Sequence, residues 1–339
     1  MYLKKQYKYF TGIQIKMSRP RVSLCTPTFN RRPFIQAMVQ GILQQKYPRE
    51  LMEWIIVDDG TDKIGDLVQD IPFVKYIALE ERMLLGKKRN FMHEQCTFQE
   101  DSAIVVYIDD DDYYPPERVS HAVDKLVHSK AECAGSSELY LWFNDLEKMY
   151  KVGPYGPNHA TAGTFAFKRS LLKTCSYAED AVLSEEKHFL KDYTIPMVQL
   201  DPKKTILVVC HTQNTFDKHR VIQNDSKYCS ESTLTIKHFI KTPTLYSFYT
   251  QGMEIELAKY NPGTMAFKPE VVEEMKRRER EQSAPMLQFT TKDGRTVQIH
   301  PEQLMRMFQQ KSEECQELQK DNQRLKELNR LLIESKRSA

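Results

Sequence analysis

The sequence predicts an α/β protein built on a mainly parallel β-sheet with helices on both faces. Short apolar segments rich in β-branched residues alternate with helical apolar stripes four times, which is the pattern of a parallel sheet with crossover helices. Polar clusters directly follow three of the strand segments, as expected where a ligand binds at the carboxyl edge of such a sheet. With 339 residues, 40% of them hydrophobic, the chain can form one large domain and a smaller part.

Periodicity and turn signals place the individual elements. The predicted strands of the repeating part are Val22–Cys25, Trp54–Val57, Val74–Leu79 and Ala103–Ile108. The predicted helices are Pro33–Leu43, Leu85–Cys96 and Pro116–Val127. Shorter elements follow: a hairpin around Asn144-Asp145, a strand Thr164–Lys168, a helix Ser184–Lys191 and a strand Thr205–Cys210.

Composition excludes several classes of protein. The net charge of +3 is too small to indicate nucleic acid as a specific partner. The seven cysteines lack metal-ligand spacing, and an odd, scattered set is typical of reduced thiols. No apolar run approaches the roughly 20 residues of a membrane span, and the N-terminus lacks the apolar region of a signal peptide. We therefore expect a cytoplasmic protein without a membrane span.

Four consecutive carboxylates, Asp109 to Asp112, follow the fourth strand, and Pro115-Pro116 prevents the strand from continuing. At about 4 Å and an effective dielectric of about 20, each close pair of like charges costs roughly 4 kcal/mol. A divalent cation turns this repulsion into binding, and oxygen ligands suit Mg²⁺ or Mn²⁺ with substrate phosphates in the remaining positions. A solvated acidic loop is the alternative, and the strand before and helix after favour the cation site.

The other polar clusters, Thr26–Asn30 and Asp58–Asp62, also follow strands. Because the carboxyl ends of parallel strands meet at one edge of a sheet, we expect both clusters to lie with Asp109–Asp112 around one crevice. A turn or a helix N-cap is the alternative role of Asp58 and Asp59.

Four motifs on these elements resemble, in order and spacing, those of family 2 glycosyltransferases. They are Val22–Asn30 (VSLCTPTFN), Ile56–Thr61 (IVDDGT), Gly86–Asn90 (GKKRN) and Tyr107–Asp111 (YIDDD). The resemblance covers about Arg21 to Arg220 and is closest up to Val119. It implies the GT-A fold and transfer of a sugar from a nucleotide-sugar donor to an acceptor hydroxyl. A UDP-sugar is the expected donor.

The resemblance also implies how the donor nucleobase is held. The loop formed by Thr26, Pro27 and Thr28 packs on the base, largely through its backbone, and Asn30 belongs to the same binding segment.

For the rest of the donor, the resemblance makes Asp59 the acceptor of the uracil N–H, with Asp58 able to exchange roles with it. Arg89 lies near the diphosphate. Lys87 and Lys88 either help to offset the diphosphate charge or lie on a solvated helix face.

Within the acidic run, alignment on Pro116 makes Asp111 the direct ligand of Mn²⁺ or Mg²⁺ and Asp109 a ribose or water-mediated contact, with Asp110 between them. A shift by one residue, to Asp110 and Asp112, stays open. His211 follows a later strand where the family places a histidine on the metal or diphosphate, and a neutral imidazole suits Mn²⁺. A purely structural histidine is the alternative.

The resemblance places the catalytic base in the acidic pair that opens the segment Ser184–Leu190. Glu186 is the first choice and Glu185 the second, and this chain has Glu where the family usually has a final Asp. Their alternative role is that of helix N-terminal acids. Glu186 would take the proton from the acceptor hydroxyl as that oxygen attacks the anomeric carbon, and inversion is expected because no second carboxylate nucleophile is evident. The acceptor is a glycan, a glycoprotein or another hydroxyl compound.

The chain therefore divides into five predicted parts. These are a basic arm (1–20), a GT-A domain (21–250, with a nucleotide-sugar half 21–130 and an acceptor half 131–220), a charged linker (251–284), a β-hairpin (285–300) and a coiled-coil helix (301–336). Asp293-Gly294 is the turn signal of the hairpin.

The final helix has a heptad pattern. Position d holds Leu304, Lys311, Leu318, Leu325 and Leu332, and position a holds Phe308, Cys315, Asn322 and Asn329. Such a pattern, with Asn at a, favours a coiled coil that joins two or three copies of the chain. An amphipathic helix that folds back on the catalytic domain is the alternative.

Two other functions compete with glycosyl transfer. A nucleotidyltransferase on a similar scaffold would normally have a glycine-rich loop after the first strand, and Thr26–Asn30 contains no glycine. A coiled-coil adaptor with an inactive transferase-like domain is the other.

Overall fold

The computed structural model describes residues 19–223, 227–283, 285–290 and 294–337. Most of the predicted basic arm and the hairpin turn residues Lys292 and Asp293 lie outside the described residues. The chain forms two compact units, one that ends at Pro269 and one that begins at Glu270.

The first unit is organised around a seven-stranded sheet in the order β3-β2-β1-β4-β8-β5-β9. These strands are β1 Val22–Thr28, β2 Met52–Asp58, β3 Val74–Ala78, β4 Ile104–Tyr107, β5 Cys133–Gly135, β8 Ala166–Lys168 and β9 Met197–Gln199. Strands β3, β2, β1 and β4 are parallel neighbours, whereas β8 is antiparallel to both β4 and β5. The prediction of a mainly parallel sheet is confirmed, with one reversed strand that the sequence analysis did not identify.

A second sheet has the order β10-β6-β7-β11. Its strands are β6 Leu139–Phe143, β7 Lys148–Val152, β10 Leu207–Cys210 and β11 Cys229–Glu231. Strands β6 and β7 are antiparallel, so the predicted hairpin around Asn144-Asp145 is confirmed. In the second unit, β12 Leu287–Thr290 pairs antiparallel with β13 Thr296–Ile299, as predicted for the hairpin strands.

Helices cover both faces of the large sheet. Those of the first unit are α1 Arg32–Leu43, α2 Gly65–Val68, α3 Leu85–Gln95, α4 Arg118–Val127, α5 Glu186–Phe189, α6 Pro202–Thr205, α7 His219–Gln223, α8 Ile236–Phe239, α9 Pro243–Ser247 and α10 Met253–Leu257. Helices α11 Pro269–Ser283 and α12 Pro301–Arg337 follow. No helix among the described residues combines the length and apolarity needed to cross a membrane.

Alternation along the central strands explains the two-faced core. In β2, Trp54 and Ile56 pack in a cluster with apolar residues of α1 and α4, and Ile55 and Val57 pack in a second cluster with Met92 of α3. A strand that is buried on both faces reads as a continuous apolar run, which is why the sequence located these strands.

Several predicted boundaries are wrong. Helix α4 begins at Arg118 rather than Pro116, because Pro115 O accepts the Arg118 N–H at 2.9 Å in a turn before the helix. The predicted helix Ser184–Lys191 is the single turn α5, since Ser184 and Lys191 have left-handed φ values of 57° and 48°. Residues Ala162–Thr164 form a 3₁₀ turn, so the predicted strand there begins later, at Ala166.

Residues 251–284, predicted as a charged linker, are largely helical. Met253 and Leu257 of α10 are buried in a third core cluster with Trp142 of the second sheet, so α10 belongs to the first unit, which extends to Pro269. Charged residues on the exposed faces hid this packing from the sequence analysis.

His93 of α3 gives a prediction about stability and pH. Burial, followed by the charges of Arg89 and Arg169, lowers the pKa of His93 to about 3, and its Nε2 lies 2.6 Å from the Tyr107 hydroxyl oxygen. In the unfolded chain a histidine has a pKa near 6.5, so the unfolded state binds the proton first as the pH falls. His93 should therefore lower the free energy of unfolding by about 2 kcal/mol between pH 6.5 and pH 5.

Urea unfolding at both pH values, followed by the fluorescence of buried Trp54 and Trp142, measures this loss. The variant His93→Gln should show a smaller loss over the same interval. An equal loss in the two proteins would assign the pH dependence to other groups.

Candidate active site

The carboxyl edge of the large sheet gathers the three predicted polar clusters. Thr28 ends β1 and is the register partner of Asp58, the last residue of β2. On the other side of β1, Cys25 is the partner of Tyr107, two residues before Asp109. The expectation of one shared edge is confirmed.

Asp58 holds the loop after β2. Its Oδ1 accepts the Gly60 N–H at 2.9 Å, and its Oδ2 accepts the Ile64 N–H at 3.0 Å and the Tyr76 O–H at 2.7 Å. Three internal hydrogen bonds to a fully buried carboxylate correspond to the turn role, one of the two alternatives from the sequence.

Asp59 has different surroundings. Its Oδ2 accepts the Met83 N–H at 2.7 Å, and its Oδ1 pairs with the buried ammonium of Lys88. Burial lowers the pKa of Lys88, and Asp59 opposes this effect. Lys88 is therefore directed inward to Asp59, while Lys87 is exposed on the helix surface.

The loop after β1 is fixed by its side chains. Trp54 Nε1–H donates to Thr26 Oγ1 at 2.9 Å, and Thr26 is fully buried. Pro27 is partly exposed, and Thr28 is buried. Asn30 adopts φ 51°, accepts the Asp62 N–H at 3.0 Å through Oδ1 and donates from Nδ2 to Pro262 O at 3.0 Å.

Arg31 is a site residue that the sequence analysis missed. It is buried, and its guanidinium lies 3.6 Å (Nε) from Asp110 Oδ1 and 3.3 Å (Nη2) from Asp111 Oδ2. The signal was present, because two arginines directly follow the predicted loop Thr26–Asn30.

Arg89 joins the acidic run to the predicted base segment. Its Nε donates to Glu185 Oε1 at 2.8 Å, and its Nη2 lies 3.6 Å from Asp109 Oδ1. The guanidinium also stacks over the Tyr107 ring, 4.4 Å from the centroid. The structure thus brings Asp109, Arg89 and Glu185 together, and Glu185 is an ion-pair partner there.

Asp112 differs from the rest of the run. Its Oδ1 accepts the Val209 N–H at 2.8 Å, which fixes the end of β10 against the acidic loop. Lys218 donates to the Val209 carbonyl at 3.3 Å and is a second cation missed from sequence, because it follows in a weakly patterned segment.

Burial and mutual repulsion separate the pKa values of these carboxyl groups. Burial, then the charge of Asp111, raises the pKa of Asp110 to about 7, and burial raises the pKa of Asp112 to about 8 although Lys218 opposes it. Burial also raises the pKa of Asp109. For Asp111 the effect of burial is outweighed by Arg31 and His211, which hold its pKa below the usual value. Asp111 is therefore the most firmly ionised member of the run.

His211 contacts Asp111, with 3.2 Å between Nε2 and Oδ2. Burial lowers the pKa of His211 to about 4, so the ring is neutral at physiological pH. The Gln213 N–H points at Nδ1 at 3.2 Å, which places the ring proton on Nε2, facing Asp111.

The predicted metal ligands are only partly brought together. Asp111 and His211 are in contact, whereas Asp109 faces Arg89. Within residues 19–337, apart from the gaps in the described ranges, no three His, Cys, Asp or Glu side chains form a group that could hold a metal ion. A carboxylate and a neutral imidazole still fit a hard cation whose other positions are taken by phosphate oxygens, since such sites use few protein ligands. The ring proton would then have to move to Nδ1, at the expense of the Gln213 contact.

Glu186 is the first residue of α5 and is half-buried next to the buried Glu185. The 3₁₀ turn that precedes β8 contacts the acidic run through Gly163. Tyr114 accepts the Asp109 N–H at 2.9 Å and donates to Gly163 O at 3.0 Å, and a Cβ at Gly163 would collide with Asp109 Oδ2.

Part of the chain is similar to known proteins. The family described as glycosyl transferase family 2 matches residues 23–173. The teichuronic acid biosynthesis glycosyltransferase TuaG of Bacillus subtilis (strain 168) is 28% identical over 123 residues, which are 35% of this chain and 46% of TuaG. The chain thus spans about half the length of this relative.

Similar solved structures include TarS 1-349 of S. aureus in complex with UDP, at 19% identity over 60% of this chain and 63% of that one, with a TM-score of 0.44. The mannosyltransferase PcManGT of Pyrobaculum calidifontis in complex with GDP-Man and Mn²⁺ is 16% identical over 69% of this chain and 70% of that one, with a TM-score of 0.46. Similarity at this level supports no inference about the ligands of this chain. The family match falls on the segment that contains β1 to β4 and the acidic run.

Proposed function

We propose that this protein transfers a sugar from a nucleotide-sugar donor, first of all a UDP-sugar, to an acceptor hydroxyl. The observation that carries the proposal is the convergence of Thr28, Asp59 and Asp109–Asp111 at one sheet edge of a family 2 domain. Each carboxylate there is paired with a cation of the chain, so the edge combines acidic and basic groups in a buried setting.

The nucleotide half of the donor is assigned to the loops after β1 and β2. The backbone of Thr26–Thr28 packs on the base. The uracil N–H is assigned to Asp59, whose oxygens also accept from the Met83 N–H and Lys88. Asp58, which accepts three hydrogen bonds within its own loop, is the less suited of the two. Asp109 and Asp110 are assigned to the ribose. Arg89 stands next to Asp109 and is assigned to the departing diphosphate.

Asp111 and His211 are the residues that would hold Mn²⁺ or Mg²⁺, and a cation there supplies positive charge beside the diphosphate. On the acceptor side, Glu186 takes the proton from the acceptor hydroxyl while its oxygen bonds to the anomeric carbon. The bond from that carbon to the diphosphate breaks, and the electron pair leaves with the diphosphate, so the anomeric configuration is inverted.

A donor screen tests the function. The full chain is incubated with UDP-, GDP- and other nucleotide sugars in Mn²⁺ buffer, and release of the nucleoside diphosphate is measured with and without mixed glycan acceptors. We expect release from one class of donor. Absence of release and of a thermal shift with any nucleoside diphosphate would contradict the proposal.

Glu186→Gln should lower kcat by about 100- to 10,000-fold and leave the dissociation constant of the donor nucleotide unchanged, because only proton transfer from the acceptor is lost. Transfer rates and nucleotide titration measure the two effects. Glu179→Gln, at an exposed acid of the preceding loop, is the matched control. Full activity in Glu186→Gln would move the base to another residue.

We also propose that α12 joins two copies of the chain as a parallel coiled coil. Phe308, Leu318 and Leu325 on the a/d stripe are 72%, 68% and 64% exposed in one chain, which leaves this apolar face to a partner. In a parallel pair, Asp321 at position g meets Lys326 at position e of the other copy, whereas an antiparallel pair would bring acids together.

Parallel pairing predicts that Cys315, at position a, meets its counterpart across the dimer axis. Mild oxidation should link the full chain into a disulfide dimer, seen by non-reducing electrophoresis. Replacing Leu318 and Leu325 by Lys should abolish both this product and the dimer mass in light scattering. The same replacement of exposed Leu43 on α1 should change neither. A wild-type monomer would contradict the proposal.

A further inference from the structure

Lys268 is a buried cation that the site described so far does not use. It follows a 3₁₀ turn, Met265–Phe267, near the end of the first unit, and only 3% of its surface is exposed. Its Nζ donates to Thr215 Oγ1 at 3.3 Å. Among the described residues, no carboxylate oxygen lies within the 4.0 Å ion-pairing distance of this ammonium. A buried ammonium without an anionic partner is unfavourable, so an anion from outside the chain is expected near it.

The charges that act on Lys268 belong to the acidic run and its cations. Burial, followed by the charge of Arg31, lowers the pKa of Lys268 to about 7, while Asp111 and Asp110 act in the opposite direction. Arg31 itself keeps a buried Nη1 without a hydrogen-bond partner. Lys268 and Arg31 are thus two cations with unused hydrogen-bond donors, and both interact electrostatically with Asp110 and Asp111.

The segment that leads to Lys268 is fixed to the carboxyl edge by three loops. Gln213, after β10, donates to Tyr260 O at 2.6 Å. The Tyr260 hydroxyl donates to Asp62 Oδ2 at 2.9 Å, and Asn30 Nδ2 donates to Pro262 O at 3.0 Å. A Cβ at Gly263 would collide with Gln213 Oε1, so the backbone passes close to that loop. Lys268 therefore has a position defined by the residues around the site.

We propose that Lys268 and Arg31 form an anion site that binds the diphosphate of a nucleoside diphosphate. The inference rests on the proposed function and adds two positioning residues to it. The Arg31 guanidinium, which lies beside Asp111, offers directed hydrogen-bond donors. The Lys268 ammonium, which comes from the C-terminal end of the first unit in sequence, offers a compact positive charge. Binding of the diphosphate supplies the negative charge that Lys268 lacks.

The test compares wild type with Lys268→Met, and with Lys130→Met at an exposed lysine as the matched control. UDP, uridine and inorganic pyrophosphate are titrated by calorimetry into the full chain in Mn²⁺ buffer. We expect Lys268→Met to weaken binding of UDP and pyrophosphate by about 10- to 100-fold and to leave uridine binding unchanged. Lys130→Met should match wild type throughout.

Melting temperatures separate this role from a structural one. Because the ammonium has no anionic partner in the chain, Lys268→Met should melt at or above the wild-type temperature without nucleotide, and its upward shift with UDP should be smaller. Lys268→Arg, which keeps the charge, should retain most of the UDP affinity. Equal UDP affinity in Lys268→Met and wild type would overturn this inference alone. A wild type that binds neither nucleoside diphosphates nor pyrophosphate would overturn the proposed function as well.

Discussion

Asp111→Asn should lower the rate of sugar transfer by about 100- to 1,000-fold, and unlike Glu186→Gln it should also weaken binding of the donor. Asp111 is the most firmly ionised carboxylate of the acidic run, since Arg31 lies 3.3 Å and His211 3.2 Å from its Oδ2. The amide keeps the shape of the side chain and removes the charge on which cation binding depends. The increase in melting temperature caused by UDP with Mn²⁺ should disappear together with the activity.

Asp124→Asn is the matched control for this experiment. Asp124 lies on α4, its side chain is 68% exposed, and its neighbour His128 is also at the surface. It should retain the wild-type rate and the wild-type thermal shift. If Asp111→Asn behaved like Asp124→Asn, the acidic run would have no part in donor binding.

Arg89→Met should lower the free energy of unfolding by about 3–5 kcal/mol, the largest effect on stability. Arg89 is buried, pairs with Glu185 at 2.8 Å and faces Asp109 at 3.6 Å. Removing it leaves the buried carboxylate of Glu185 and the partly buried carboxylate of Asp109 without their cation. Urea unfolding at pH 7, followed by tryptophan fluorescence, measures the difference.

The double variant Arg89→Met with Glu185→Gln should recover part of this loss, because the stranded charge of Glu185 is then also removed. Lys173→Met provides the exposed comparison, since Lys173 and Asp101 form a pair whose side chains are 64% and 62% exposed. It should cost less than about 1 kcal/mol. A loss of that size in Arg89→Met would show that the buried pair contributes little.

Much of the site at the carboxyl edge of the large sheet could be predicted from the sequence, because its residues lie next to local sequence signals. A buried parallel strand reads as an apolar run, and the acids that end β2 and β4 stand directly after such runs. Neighbouring strands then bring Asp58, Asp59 and Asp109 together without any knowledge of side-chain packing. The same reasoning could have identified Arg31, because it directly follows the predicted loop Thr26–Asn30.

The cations from the second half of the chain could not be found in that way. Lys218 and Lys268 act electrostatically on the acidic run, and both come from segments whose own pattern is polar or charged. The roles of individual acids were equally hidden, because Asp58 and Asp59 are neighbours in sequence and differ only in what surrounds them. The periodicity of α12 predicted a helix, and the number of chains in its coiled coil stays a prediction.

The reversed strand β8 has a consequence for how two substrates would meet. Strand β8 is antiparallel to β4, so its first residue lies at the sheet edge where the parallel strands end. Gly163, shortly before β8, lies at the same edge. The distance between the backbone at Gly163 and the acidic run is therefore set by the spacing of neighbouring strands, about 4.8 Å. No hinge separates the two within the sheet. Enzymes that grip two reactants on separate lobes must close before they act. In the proposed reaction both binding regions would belong to one sheet, so differences between acceptors would have to be accommodated by the surrounding loops.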